Sequence, residues 1–288
     1  MRQYLVAEHT IRIVGKGLKS LPGFDLFLSE KTNIEPLLLI RPETNFRDWG
    51  ITPFITSEYD NTMYELSTMD NAYLFRMIQS DGNCLLAEIN RENAGYKATI
   101  HQTGDFDIYS LHFVCWTLFG IAALSRQTVS IHASAVMHQG KSIFFLGESG
   151  TGKSTHSRLW LKHIQDTELL NDDSPFIRIE TDGNIRAYGS PWSGKTPCYK
   201  NIHTPVAAFI RLSQAPHNRI RRLKGIEALG ALLPSCPFAF AYDKRLSESV
   251  YSILSIVLQQ LPVYHLECLP NADAAQLVYS TLKQDCYL

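Results

Sequence analysis

The nine residues Gly-Glu-Ser-Gly-Thr-Gly-Lys-Ser-Thr at 147–155 constrain the fold more than any other stretch of the chain. They follow an apolar run, Ser-Ile-Phe-Phe-Leu at 142–146, and lead into a segment whose apolar positions 159, 161 and 164 suit a helix. A buried strand, a glycine-rich turn and a helix, in that order, let consecutive backbone N–H groups converge on an anion. The positive end of the helix dipole and the lysine assist. The pattern G-x-x-x-x-G-K-[ST] in this setting predicts that Gly147, Glu148, Ser149, Gly150, Thr151, Gly152, Lys153, Ser154 and Thr155 bind a nucleotide's phosphates. Ser154, at its last position, supplies a hydroxyl for a metal ion.

The same pattern recurs at Gly189–Thr196, Gly-Ser-Pro-Trp-Ser-Gly-Lys-Thr. Here the context fails on both sides. The preceding Ile-Arg-Ala-Tyr is half polar, Pro191 removes a donor inside the loop, and Pro197 opens a stretch with no helical pattern. This copy reads as a glycine-rich connection, with Lys195 a candidate substrate contact.

The rest of the chain frames these loops. At 288 residues it holds one large domain or two ordinary ones. The first hundred residues are short apolar or alternating runs separated by Gly, Asn, Asp and Pro, with a hairpin signal at 80–83, so residues 1–105 are expected to form a β-rich accessory domain. Residues 106–288, mixed in pattern, are expected to form an α/β nucleotide-binding domain with a mixed sheet and helices. With 27 basic and 28 acidic residues there is no global field that favours nucleic acid or an anionic membrane. The most apolar stretch, 111–124, is shorter than the roughly twenty residues a membrane helix needs and reads as a buried core helix. Six scattered cysteines with no C-x-x-C pair, and an N-terminus without a secretory apolar run, lead us to expect a cytoplasmic protein.

Transfer chemistry needs more than a phosphate loop: a group to take the acceptor's proton, a metal on the phosphates and positive charge near the transferring group. Asp172 and Asp173 follow a short apolar run and could hold Mg²⁺ or accept a proton, although an Asp pair before Pro175 is also what caps a turn. If Ser130–Val136 and Ser142–Leu146 pair about the turn at 138–141, His132 falls opposite Gly147, give or take a residue or two, which brings an imidazole to the mouth of the loop. A basic stretch, Arg211, His217, Arg219, Arg221, Arg222 and Lys224, reads as a solvated face, with Arg211 a candidate phosphate or substrate contact.

His132, the loop Gly147–Ser154 and the pair Asp172 and Asp173 together resemble the HPr kinase/phosphorylase family, bacterial serine kinases whose core is related to that of ATP-dependent phosphoenolpyruvate carboxykinase. The interval from His132 to Lys153 equals the family's, and the interval from Lys153 to the Asp pair is slightly longer. The likeness covers about residues 130–175. Tyr-Gly-Ser-Pro-Trp-Ser-Gly-Lys at 188–195 stands where the family has its Glu-containing signature, and the N-terminal segment does not match. The resemblance implies a phosphoenolpyruvate carboxykinase/HPr kinase-like P-loop core using ATP and Mg²⁺. It implies Asp173 as the base, Asp172 near the metal, and His132 and Lys153 stabilising the γ-phosphoryl. The implied activity is transfer to a hydroxyl of a protein, peptide or small metabolite. It leaves the acceptor and the oligomeric state open, a homo-oligomer being compatible.

Two other classes remain in view. One is a non-catalytic nucleotide sensor, whose β-rich half binds a partner. The other is decarboxylation like that of phosphoenolpyruvate carboxykinase. A GTPase or motor fits less well, since antiparallel hairpins flank the loop and no N-K-x-D motif occurs.

Overall fold

The computed structural model describes residues 1–15, 21–30, 34–44, 50–104, 106–194 and 196–288. Among these, the N-terminal strands form one mixed sheet: β1 (Arg2–Val6), β2 (His9–Ile13), β3 (Leu38–Pro42), β4 (Ile55–Tyr59), β5 (Thr62–Met69), β6 (Ala72–Gln79), β7 (Cys84–Glu92) and β8 (Gly95–Gln102). Their order is β1-β2-β3-β8-β7-β6-β5-β4, so β4 is an edge. The turn at 80–83 joins β6 to β7 as the sequence predicts. Strands β4 and β8 lie outside the apolar or alternating runs of this segment, which cover 3–8, 10–15, 36–41, 64–69, 72–78 and 84–90. In β8 the inward face is built partly on Ala98, too small to register as a hydrophobic stripe, between half-buried Tyr96 and Ile100.

Helix α1 (Ile108–Leu124) follows, capped by Asp107, whose carboxylate accepts from the Ser110 amide at 2.8 Å. Most of it is buried, as expected of a core helix, and no helix among the described residues is long and apolar enough to cross a membrane. The second sheet, also mixed, is interleaved with the remaining helices: β9 (Thr128–Ser130), β10 (Ala133–His138), β11 (Lys141–Leu146), α2 (Lys153–His163), β12 (Thr167–Asp173), β13 (Phe176–Ile179), β14 (Ile185–Tyr188), β15 (His203–Gln214), β16 (Arg219–Leu223), α3 (Gly225–Leu232), α4 (Lys244–Gln260), β17 (Val263–Cys268) and α5 (Ala272–Gln284). The architecture is therefore mixed α/β.

Three pairings place the functional edge. Strands β10 and β11 are antiparallel, with Ala133 opposite Leu146, which is the register the hairpin reading gives. Strand β12 runs antiparallel to β10 on its other side, with Ala133 opposite Asp173. Strand β15 runs parallel to β11, with Leu146 opposite Arg211. Strands β11, β12 and β15 thus share a direction, and their carboxyl ends lie along one edge, where α/β sheets take their ligands. One expectation is corrected here: the strand expected through His132 breaks at Ile131–His132, because the His132 amide leaves the ladder to donate to the Ser235 carbonyl at 2.6 Å.

Side chains of the second sheet alternate between two cores. Phe144 and Phe209 face a large core that continues through α1, α3 and α4 into the N-terminal sheet. Phe145 and Trp160 face a smaller core closed by α2 and α5. Each such buried side chain stabilises the fold by about 2–3 kcal/mol, so the strand under the loop is fixed from both faces.

Burial also sets an acid limit. His156, on α2 against the Phe145 ring, is pushed down by burial to about 4, and His9 to about 3. An unfolded chain protonates these rings near the ordinary value of about 6.5, so between the two values protons favour the unfolded state. The stability held by each neutral ring is complete above about pH 6.5 and is lost as the pH falls toward the folded value. Urea unfolding should show stability dropping by up to about 1.4 kcal/mol per pH unit per histidine in that window. The decline should be shallower for His156→Leu, and an unchanged slope would contradict this origin.

Candidate active site

The loop between β11 and α2 is shaped by its glycines. Gly147 has φ 157°, and a Cβ there would lie 2.9 Å from the Thr151 Cβ. Gly152 has φ 107° and is the residue before the first turn of α2. Inside the loop the Thr151 amide and hydroxyl both bond to the Glu148 carbonyl, at 3.1 and 2.8 Å, which closes the turn. The amides of Gly150, Gly152, Lys153 and Ser154 have no acceptor among the described residues. Four unspent donors at the start of a helix form an anion cradle.

The charged and polar groups expected at this cradle converge on it. Lys153 Nζ donates to the carbonyls of Gly147 at 2.9 Å and Glu148 at 3.3 Å. Burial lowers its pKa, the carboxylates of Asp173 and Asp172 pull it back up, and Arg211 lowers it. Ser154 Oγ donates to Asp172 Oδ1 at 2.9 Å, so the two expected metal ligands, on α2 and β12, already touch. Arg211, on β15, lies 3.4 Å from the Glu148 carboxylate and so faces the loop. Arg221 pairs with Glu227 and Arg222 with the Tyr287 hydroxyl, away from it. Lys195 lies outside the described residues.

His132 and Asp173 form the second half of the site. His132 Nε2 is 3.7 Å from Asp173 Oδ1, and both side chains are about half exposed. Burial lowers the imidazole pKa and Lys153 lowers it further, while Asp173 and Asp172 act against both. The ring is thereby biased toward its neutral form, able to carry a proton rather than locked as a cation. Asp173 has φ 131°, a conformation that side-chain-bearing residues rarely adopt and that costs about 1–3 kcal/mol. Strain of this kind at the end of a strand aims a carboxylate where an ordinary extended residue would not.

The second copy of the loop pattern proves to be the wall behind this carboxylate. Gly194 N and Ser193 Oγ both bond to the Asp172 carbonyl, at 2.7 and 3.0 Å. A Cβ on Gly194 would press within 3.2 Å of the Asp173 Cβ. No helix follows it, as its prolines predict. Asn171, fully buried, ties the two segments: its amide donates to the carbonyls of Trp192 at 3.0 Å and Cys198 at 3.1 Å, while its oxygen accepts from Ser174 N at 2.9 Å. Sequence reasoning passed over Asn171, Ser193 and Gly194. A polar residue entering a strand just before the Asp pair was the one available signal.

Two cavities open at the site, one beside the loop and one beside the His132–Asp173 pair. One, about 730 Å³, is lined by Gly150, Gly152, Thr155, His156, Gln214 and Leu269. The other, about 540 Å³, opens at His132 and Asp173 and is walled by Tyr109, Trp116, Trp192 and Phe238. Among the described residues no group of three or more His, Cys, Asp or Glu could by itself hold a metal ion. A metal at Ser154 and Asp172 would take its remaining ligands from phosphate and water, which suits Mg²⁺.

Comparison with protein-family models and with the curated proteins gave no match.

Proposed function

We propose that this chain is an ATP-dependent phosphotransferase with an HPr kinase-like P-loop core. The observation that carries the reading is the meeting of a phosphate cradle, a touching Ser154–Asp172 pair and the His132–Asp173 pair along one sheet edge. In this reading the cradle amides hold the β- and γ-phosphates and the cavity beside Gly150 takes the nucleoside. Lys153 exchanges its two carbonyl partners for phosphate oxygens. Ser154 and Asp172 would hold Mg²⁺, which would supply neutralisation of phosphate charge there.

The acceptor hydroxyl enters from the cavity that opens at Asp173. Its proton passes to the Asp173 carboxylate as its oxygen forms a bond to Pγ. The bond from Pγ to the β,γ-bridging oxygen breaks, and ADP leaves with that electron pair. Lys153 offsets the charge on the moving phosphoryl, and the His132 ring stabilises it as a hydrogen-bond donor. A carboxylate on a strained backbone, accepting from the Ser174 hydroxyl at 3.2 Å, suits a base that must meet the hydroxyl in one geometry.

Calorimetric titration with ATP tests the first half of this reading. Binding should tighten when Mg²⁺ is added, and Ser154→Ala should lose most of that gain while keeping the metal-free affinity within about threefold. Equal ATP affinity with and without Mg²⁺ in the unaltered protein would count against the assigned metal ligands.

A further inference from the structure

The cavity at Asp173 does not end where a small acceptor would. It shares Tyr59, Tyr109, Phe113, Trp116, Pro237 and Phe238 with a second cavity of about 810 Å³. The second runs between helix α1 and the face of the N-terminal sheet, over Leu66, Phe75 and Met77. Small-molecule sites commonly occupy roughly 300–1,000 Å³ and enclose their ligand. Here two cavities of about 540 and 810 Å³ run together and open outward.

The shape and chemistry of this groove suit a polypeptide. Its mouth is ringed by exposed aromatic side chains: Tyr59 is 76 % exposed, Tyr109 72 % and Phe238 59 %. Solvent-exposed aromatics gathered about a buried apolar floor are the composition of a protein-binding hot spot. The rim is acidic. Glu58, Asp60, Glu65 and Asp107 line it, and among the described residues no lysine or arginine does; Glu65 pairs with Arg76 at 3.1 Å, whereas Glu58 and Asp60 have no ion pair among the described residues. Strand β4, which contributes Ile55, Ser57 and Tyr59, is the edge of its sheet, and no further strand pairs with it among the described residues. An extended chain can add to such an edge through its backbone. At the inner end, Ser130, Ser235, His112 and Trp116 line the cavity, and the hydroxyls, His112 Nε2 and Trp116 Nε1 are buried without partners among the described residues, a reserve of hydrogen bonds for an entering polar segment.

We infer that the acceptor is an extended peptide segment, placing a Ser or Thr hydroxyl at Asp173 and laying an adjacent large apolar residue and a basic residue along the groove between β4 and α1. The inference rests on the phosphotransfer reading. It assigns to the N-terminal sheet the task of choosing the substrate.

The test uses the full chain with γ-labelled ATP, Mg²⁺ and a peptide library with Ser or Thr fixed at the centre. Label should concentrate on peptides carrying an aromatic or aliphatic residue and a Lys or Arg on one side of the acceptor. For the best peptide, the pair Glu58→Lys and Asp60→Lys should raise KM about tenfold or more, and Tyr59→Ala with Phe238→Ala should do the same. ATP affinity should stay within about twofold, which also reports that these surface variants fold. Label spread evenly over the library, or found only on small hydroxyl compounds supplied alongside, would overturn the peptide assignment and leave phosphotransfer standing. Bound but intact ATP with no labelled acceptor of any kind would overturn both.

Discussion

Replacing Asp173 by Asn is expected to leave ATP binding within about twofold and to reduce transfer by about 10²–10⁴-fold, the range for removing a positioned general base. The amide is nearly the same size, so the contact with Gly194 and the strained φ of 131° persist, and only the proton acceptor is lost. A second variant separates chemistry from architecture. Asp173→Gly should also abolish transfer, yet it should stabilise the fold, because glycine adopts this φ without the roughly 1–3 kcal/mol that a side-chain-bearing residue stores there. If Asp173 were only a capping residue, the glycine variant would be less stable than the parent. Steady-state transfer and urea unfolding on the two variants decide the matter, and transfer surviving in Asp173→Asn would show that the base is another group.

The second large effect is expected at Lys153. Lys153→Met should cut transfer by about 10²–10³-fold, as removal of a charge aimed at the reacting phosphoryl does elsewhere. It should also weaken ATP binding. Stability should be unchanged or slightly higher, since the ammonium is half-buried and its lowered pKa reflects the cost of keeping it charged there. Its hydrogen bonds to Gly147 and Glu148 lie within its own loop, so losing them breaks no contact between elements. A structural lysine would give the reverse pattern, a loss of stability with retained activity, and thermal unfolding beside a transfer assay distinguishes the two.

What the sequence made legible is what local pattern determines. The strand, loop and helix around Gly147–Thr155 follow from apolar runs and glycine placement. The β10–β11 register follows from a two-residue turn at Gln139–Gly140, which leaves no freedom to slip. The failed second copy was recognisable from Pro191 and Pro197. Its position was not, because the bonds from Ser193 and Gly194 to Asp172 close a span of about twenty residues around the β13–β14 hairpin, and no local pattern reports that closure. The same holds for the aromatic groove. Tyr59, Tyr109, Trp116 and Phe238 come from three separate segments, strand β4, helix α1 and the turn after Pro237, and each alone reads as an ordinary core or surface residue. The N-terminal sheet illustrates the limit most directly. Its sequence carries no motif that points to chemistry, the acids Glu58, Asp60 and Glu65 reading as an ordinary solvated edge, and its relation to the site arises only when α1 packs against both it and the second sheet.

The fate of the γ-phosphate distinguishes transfer from every other use of the loop. The full chain is to be incubated with Mg²⁺, γ-labelled ATP and hydroxyl acceptors, both peptides and small molecules, and the products are to be separated. The predicted result is ADP and an equal amount of labelled phosphate ester on an acceptor hydroxyl, absent with Asp173→Asn. Bound ATP that stays intact, or label released only as inorganic phosphate at a rate that Asp173→Asn does not change, would contradict it.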